Sequence, residues 1–215
     1  NLGLLTDDAD AAVAENRRRL AAALGFSPER IAFARQVHGA ELIIQPSPSP
    51  STPEADGHVV SRPGTAALVF AADCLPVALS GPGGVAMLHC GWRGLAAGIV
   101  AAGAEAVGAT DAAIGPGIGP CCYEVGEEVL SAFSGLGDSP TPADGPICRA
   151  GDDKSAHRRL DLAEMARRLL AEAGVERVES AGLCTSCEPE LFFSHRRDAG
   201  RTGRQAGLAW IPEEA

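Results

Sequence analysis

The chain has 215 residues, 28 acidic against 18 basic side chains and a formal net charge of -10, a balance that repels phosphate backbones and anionic lipid surfaces. With 46% hydrophobic and 21% charged residues it has the composition of a folded globular protein, neither disordered nor fibrous. The length supplies one sizeable core, and no apolar run approaches the roughly 20 residues of a bilayer span, so neither nucleic acid nor membrane is an expected partner.

Seven cysteines are an odd number, and they include the adjacent pair Cys121-Cys122. In a chain that needs no covalent staples they point to reduced thiols and a cytoplasmic location. The start Asn1-Leu2-Gly3 has neither the basic nor the apolar region of a signal peptide. It also lacks an initiator Met, and a front segment is expected to be missing.

In chain order, a surface helix is expected over Asp10 to Leu24, with Val13, Leu20 and Leu24 on one face and Gly25 as its stop. Ile31 to Phe33 and Glu41 to Gln45 read as strands around the turn Gln36-Val37-His38-Gly39, and the Pro/Ser run at 46–53 as a surface loop. His58 to Val60, Ala66 to Phe70, Val77 to Leu79 and Val85 to Leu88 are strand candidates, with a turn at Gly81 to Gly84. Leu95 to Val107, Glu124 to Phe133 and Leu160 to Ala173 read as helices, and Ala112 to Ile114 and the region of Val178 as strands. Strands and helices intermix, so the class is α/β or α+β, in a single domain over 1–215 with no internal repeat.

The turn at Gly81 to Gly84 carries the most information. If it pairs Ser80 with Val85, the register runs on to Val77 with Leu88 and Pro76 with His89, which makes Cys74 a diagonal neighbour of His89 on the same face. A thiol and an imidazole converging there suit a shared metal ion, with Zn–S about 2.3 Å and Zn–N about 2.0–2.1 Å, and equally a thiolate–imidazolium pair. The same parity sends Asp73 and Cys90 to the opposite face. Gly91-Trp92-Arg93-Gly94 reads as a helix start whose N–H groups, with Arg93, form a candidate anion site. His38 is a possible third ligand that spacing alone does not bring near.

Weaker signals surround this core. Cys184-Thr-Ser-Cys187 is a C-x-x-C without a second C-x-x-C at zinc-ribbon distance and reads as structural. Gly115 to Pro120 lacks the Lys-Ser/Thr ending of a P-loop and reads as cleft-lining turns. Arg196, Arg197, Arg201 and Arg204 form a basic cluster in an acidic chain. His58 and His157 have no evident partner.

The motifs Gln36-Val-His-Gly39, Ala72-Asp-Cys-Leu-Pro-Val77, His89-Cys-Gly-Trp-Arg-Gly-Leu95, Gly115-Pro-Gly-Ile-Gly-Pro-Cys-Cys-Tyr-Glu-Val125 and Phe192-Phe-Ser-His-Arg-Arg-Asp198 with Thr202-Gly-Arg-Gln205 stand in order along nearly the whole chain. In that series the chain resembles the YfiH family, also called the laccase-domain, polyphenol-oxidase-like or peptidoglycan-editing-factor family. The resemblance places Asn1-Leu-Gly3 behind a family N-terminal strand, and that strand is the front segment expected to be missing here. It implies a layered α/β/β/α fold of the type shared with the cytotoxic necrotizing factor catalytic domain. It also implies zinc, with copper as the alternative, held by His38, Cys74 and His89, Cys74 and His89 being catalytic as well. The implied activity is phosphorolysis of adenosine, inosine, guanosine and methylthioadenosine together with hydrolytic deamination of adenosine. Purine nucleoside and phosphate are then the partners, with Arg93, Arg196 and Arg197 as candidates to bind substrate. The competing readings are a Cys-His hydrolase editing peptidoglycan precursors, with Cys74 as nucleophile and His89 as base, a copper polyphenol oxidase, for which five histidines are few, and a metal that merely staples the fold. Oligomeric state is left open.

Overall fold

A computed structural model describes residues 1–45, 53–133 and 158–213. Its elements are α1 (Asp10–Ala23), β1 (Ile31–Ala32), β2 (Leu42–Ile44), β3 (Gly57–Val60), β4 (Ala66–Ala71), β5 (Leu75–Gly81), β6 (Gly84–Cys90), α2 (Trp92–Ala96), α3 (Ile99–Val107), β7 (Asp111–Ile114), β8 (Glu124–Val125), α4 (Glu127–Ala132), β9 (Arg158–Arg159), α5 (Leu162–Glu172), β10 (Arg177–Ser180) and β11 (Gln205–Trp210). All but the last residue of the Pro/Ser run at 46–53, and His157, lie outside the described residues.

The hairpin of β5 and β6 is the centre of the fold, and its register is the expected one, Ser80 opposite Val85 through Val77 opposite Leu88 to Pro76 opposite His89. Around it runs a mixed six-stranded sheet in the order β10-β7-β5-β6-β3-β2. Strand alternation divides these side chains between two layers. Val77, Leu79, Ala86 and Leu88 face α3 and α5 in the larger core, with Ile99, Val100, Val107, Leu162 and Leu170. Met87 and Val60 face the opposite way, against Ala67, Val69 and Ala209 of a second sheet in the order β1-β4-β11. On the outer side of that sheet, Arg17 of α1 lies over the Phe33 and Phe70 rings, 4.5 and 4.9 Å from their centroids. The layers are therefore α/β/β/α, and the mixed α/β class read from the chain holds.

Several boundaries differ from expectation for local reasons. The helix anticipated over Leu95 to Val107 is broken in two by Gly98, whose φ of 89° lies in the left-handed region. In α1 the buried residues are Val13 and Ala21 rather than Leu20 and Leu24. The helix expected from Glu124 starts only at Glu127, because Glu124 and Val125 pair with Arg159 and Arg158. The start of α5 is capped by Asp161, whose carboxylate accepts the Glu164 N–H at 2.9 Å. Strand β11 was not anticipated, since Ala and Gly make Gln205-Ala-Gly-Leu-Ala-Trp210 a poor strand by propensity, and it exists because all six residues pair antiparallel with β4.

His58 sits on β3 opposite Met87, buried, with no hydrogen-bond partner for Nδ1 among the described residues. Burial pushes its pKa down from 6.5 to about 4. The unfolded chain takes up this proton near 6.5 and the folded chain refuses it until about 4, so stability falls as pH drops through that window, by up to about 3 kcal/mol. The expected outcome is that urea unfolding of wild type and of His58→Leu, followed at neutral pH and at about pH 4.5, shows a smaller acid loss in the variant. Equal losses would mean that His58 does not refuse the proton.

Candidate metal centre

Asp56, immediately before β3, is fully buried and organises the site. Its carboxylate accepts the backbone N–H groups of Val37 at 3.0 Å, His38 at 2.9 Å and Gly39 at 2.7 Å, which curls the 36–39 turn around it. That curl holds His38 at a φ of 61°, in the left-handed region that residues other than glycine seldom occupy. The same carboxylate lies 2.8 Å from His89 Nδ1. With the Nδ1 proton directed at Asp56, the lone pair of Nε2 is left to face the other way.

Antiparallel pairing of β3 with β6 is what sets Asp56 against His89, and the His89 N–H donates to the Asp56 carbonyl at 2.7 Å. Cys74 enters from the other strand of the central hairpin, one residue before β5. The residue preceding it, Asp73, has a φ of 94°. Its side chain points away from the site and accepts Thr185 Oγ1 at 2.6 Å and the Arg196 N–H at 2.7 Å. Asp73 is thus bonded to the loops behind the site, on the face to which strand parity sends it, and Cys90 is buried in the larger core.

The ligating atoms of His38, Cys74 and His89 all lie within 4.8 Å of one another. The two imidazole rings are 4.9 Å apart at an angle of 71°. Gly91 is required here, because a Cβ on it would stand 2.9 Å from Cys74 Sγ and 3.4 Å from His38 Cδ2. Burial by itself pushes the Cys74 thiol up, yet the His89 charge and the hydrogen bonds from His38 and His89 outweigh it and lower its pKa. Burial likewise opposes charge on His89, and Cys74 together with Asp56 raises its pKa. Asp56 is held below the ordinary carboxylate range against its own burial, chiefly by His89 and the Gly39 and Val37 N–H groups. Two imidazoles and a readily ionised thiol form a donor set that fits a borderline-soft ion such as zinc or copper.

The arginines divide. Arg93 stacks on Trp92, its guanidinium carbon 4.3 Å from the ring centroid. The helix in which it lies, α2, has only five residues, so the anticipated helix-terminus anion site reduces to the charge of Arg93. Arg196 donates to the Glu124 carbonyl at 2.8 Å and lies over the Tyr123 ring. Arg197 is engaged in the scaffold: it pairs with Asp198 and donates to the Thr185 and Phe192 carbonyls. Two residues here escaped the sequence reading. Asp56 gave no motif signal, and Tyr123 was passed over inside a loop motif. The Tyr123 hydroxyl is pushed up to about 12 by burial and by Cys74, while Arg196 and Arg93 pull against that rise.

Asparagine at 56 keeps the shape but cannot accept three N–H groups and the imidazole N–H at once. Asp56→Asn should weaken metal binding at this centre about 10- to 100-fold, as read by chelator competition with Cys74→Ala as the reference for a lost site. Cys90→Ala should leave metal content unchanged; loss of metal in that variant would replace the three-ligand centre with a closed four-ligand one.

The description of the multi-copper polyphenol oxidoreductase laccase family matches residues 1–212. The chain is 38% identical over 217 residues to the purine nucleoside phosphorylase YfiH of Shigella flexneri, covering 98% of this chain and 86% of that protein. It is 36% identical over 236 residues to the purine nucleoside phosphorylase YlmD of Geobacillus stearothermophilus, covering 100% and 84%. The crystal structure of YlmD from Geobacillus stearothermophilus superimposes with a TM-score of 0.84 at 34% identity, covering 99% of this chain and 85% of that one. That of a Bacillus licheniformis hypothetical protein, YfiH, does so with a TM-score of 0.84 at 32% identity and the same coverage. The chain belongs to the multi-copper polyphenol oxidoreductase laccase family, in which its near relatives are the YfiH and YlmD proteins.

Proposed function

We propose that this chain is a zinc-dependent purine nucleoside phosphorylase that also deaminates adenosine, acting in the cytoplasm on adenosine, inosine, guanosine and methylthioadenosine. The observation that carries the reading is the convergence of His38, Cys74 and His89 on one point, with Asp56 fixing the far side of His89. The names of the curated relatives support the purine nucleoside and phosphate as substrates. An ion held by these three residues supplies Lewis-acid polarisation at the reacting atom. Asp56 keeps the His89 proton on Nδ1, and that imidazole N–H and the backbone N–H groups of the 36–39 turn share the one carboxylate, so both imidazoles are oriented before substrate arrives. Arg93 and Arg196 supply fixed positive charge to hold the phosphate that attacks the ribosyl carbon as the purine base leaves it. Arg197 contributes by holding the backbone of the loop from which Arg196 projects.

A second reading has an observation of its own. Cys74 with a lowered pKa, His89 with a raised one and Asp56 behind it stand in the order nucleophile, base and orienting acid, the arrangement of a cysteine hydrolase that would open an amide in a peptidoglycan precursor. Copper is the competing ion, because two imidazoles and one thiolate are also a copper donor set. A multicopper oxidase in the strict sense is disfavoured by the count of five histidines in the chain.

Metal content by mass spectrometry, with adenosine and phosphate turnover on the same samples, separates these readings. Cys74→Ala should lose one equivalent of zinc relative to wild type and all purine products. Arg93→Ala and Arg196→Ala should each raise the KM for phosphate about tenfold or more while leaving adenosine deamination in place. Full turnover by metal-stripped wild type would overturn the metalloenzyme in favour of the cysteine hydrolase, and oxygen uptake with phenols by copper-loaded protein would favour the oxidase.

A further inference from the structure

Four more cysteines meet on the far side of Asp73. Cys121 and Cys122 lie in the loop that follows β7, and Cys184 and Cys187 in the loop that follows β10. Their sulfurs all lie within 4.8 Å of one another, with Cys121 to Cys187 at 3.4 Å and Cys122 to Cys187 at 3.5 Å. None of the four is in a disulfide. Four sulfurs around one zinc at about 2.3 Å each stand roughly 3.8 Å from one another, so this spacing is that of a tetrahedral tetrathiolate.

The backbone is arranged for the same end. In Cys184-Thr-Ser-Cys187 the N–H groups of Cys187 and Glu188 both return to the Cys184 carbonyl, a turn that brings its two thiols to one side. Facing it, the Cys122 and Tyr123 N–H groups return to the Gly119 carbonyl, and the Gly119 N–H donates to Cys184 Sγ at 3.2 Å. A Cβ on Gly119 would stand 3.2 Å from Cys184 Cβ and 3.4 Å from the Cys121 and Cys184 sulfurs, so only glycine leaves the cluster room without displacing it. The C-x-x-C that lacked a partner by spacing has one in the adjacent pair at 121 and 122.

We propose that Cys121, Cys122, Cys184 and Cys187 bind a second, structural ion of the thiophilic divalent class, zinc foremost, which clamps together the two loops that hold Asp73 and so fixes Cys74. Ligation releases the thiol protons to solvent. The clamp acts through backbone already described. Thr185, between the two cysteines of the C-x-x-C, donates to the Asp73 carboxylate; Ile118 donates to the Asp73 carbonyl at 2.8 Å; and Thr185 N–H donates to the Gly117 carbonyl at 2.9 Å. The ion is therefore a positioning element for the His38, Cys74 and His89 centre, and its binding does not depend on what that centre catalyses.

The test is metal stoichiometry on the full chain purified under reducing conditions and reloaded with excess zinc, for wild type, Cys74→Ala, Cys187→Ser and the double variant. Two equivalents in wild type, one in each single variant and none in the double variant are expected. Cobalt-loaded Cys74→Ala should keep an intense thiolate-to-cobalt charge-transfer band and the visible bands of a tetrahedral site, and cadmium-loaded wild type should show a cadmium resonance in the tetrathiolate range. Because the spectroscopic readouts use protein with all four cysteines intact, they remain decisive if Cys187→Ser does not fold. One equivalent in wild type with no tetrathiolate signal would overturn the proposal, as would mass mapping of a Cys121–Cys187 or Cys122–Cys187 disulfide in protein that takes up no second ion.

Discussion

The geometry of the candidate metal centre rests on one buried carboxylate. An ionised Asp56 is costly to remove from water, and it is tolerated because three backbone N–H groups and an imidazole surround it. The consequence is that two structural decisions become one. The turn that carries His38 can close only around that carboxylate, and His89 can present Nε2 only while its Nδ1 proton is taken up there. Neither histidine is oriented independently of the other, which is why a residue outside the donor set governs the candidate centre.

This arrangement also explains where the centre lies. The hairpin of β5 and β6 forms the middle of the larger sheet, and its closed end is packed between two layers of apolar side chains. Its open end carries Cys74, one residue before β5, and His89 on β6, beside the last pair, Leu75 with Cys90, whose side chains turn into the larger core. Both positive-φ residues of the region, His38 and Asp73, stand at or next to a ligand. Backbone in that conformation is held by surrounding contacts rather than by its own preference, and here the contacts are side-chain acceptors: Asp56 for one segment, and Asp73 itself, bonded to Thr185 and Arg196, for the other.

Local pattern was enough to read the hairpin, its register and the approach of Cys74 to His89, because a tight turn converts sequence distance directly into spatial distance. The third ligand came only with the family resemblance, and the reason is visible in the sheet. His38 is brought in by Asp56, Asp56 by the pairing of β3 with β6, and that pairing joins residues about thirty apart through no turn that the sequence announces. Strand β11 was hidden for a similar reason: its partner β4 lies more than a hundred residues earlier, and Ala-Gly composition gives no local hint of it. The C-x-x-C was legible as a motif and illegible as a site, since its complement is an adjacent cysteine pair some sixty-five residues away rather than a second C-x-x-C.

Asp73 joins the two sulfur-bearing regions. Its backbone leads into Cys74, while its carboxylate and carbonyl are held by the loops that carry the other four cysteines. A displacement of either loop must therefore move the residue before the only thiol of the metal centre, and a displacement of Cys74 must strain both loops. Coupling of this kind needs no long pathway, because one residue with an unusual φ belongs to both sites. Rigidity at the centre is thus supplied from two directions, by a carboxylate that gathers N–H groups on the histidine side and by a pair of loops cinched on the cysteine side. A candidate site made largely outside regular secondary structure requires both, since neither His38 nor Cys74 is held in place by the hydrogen bonds of a helix or a strand.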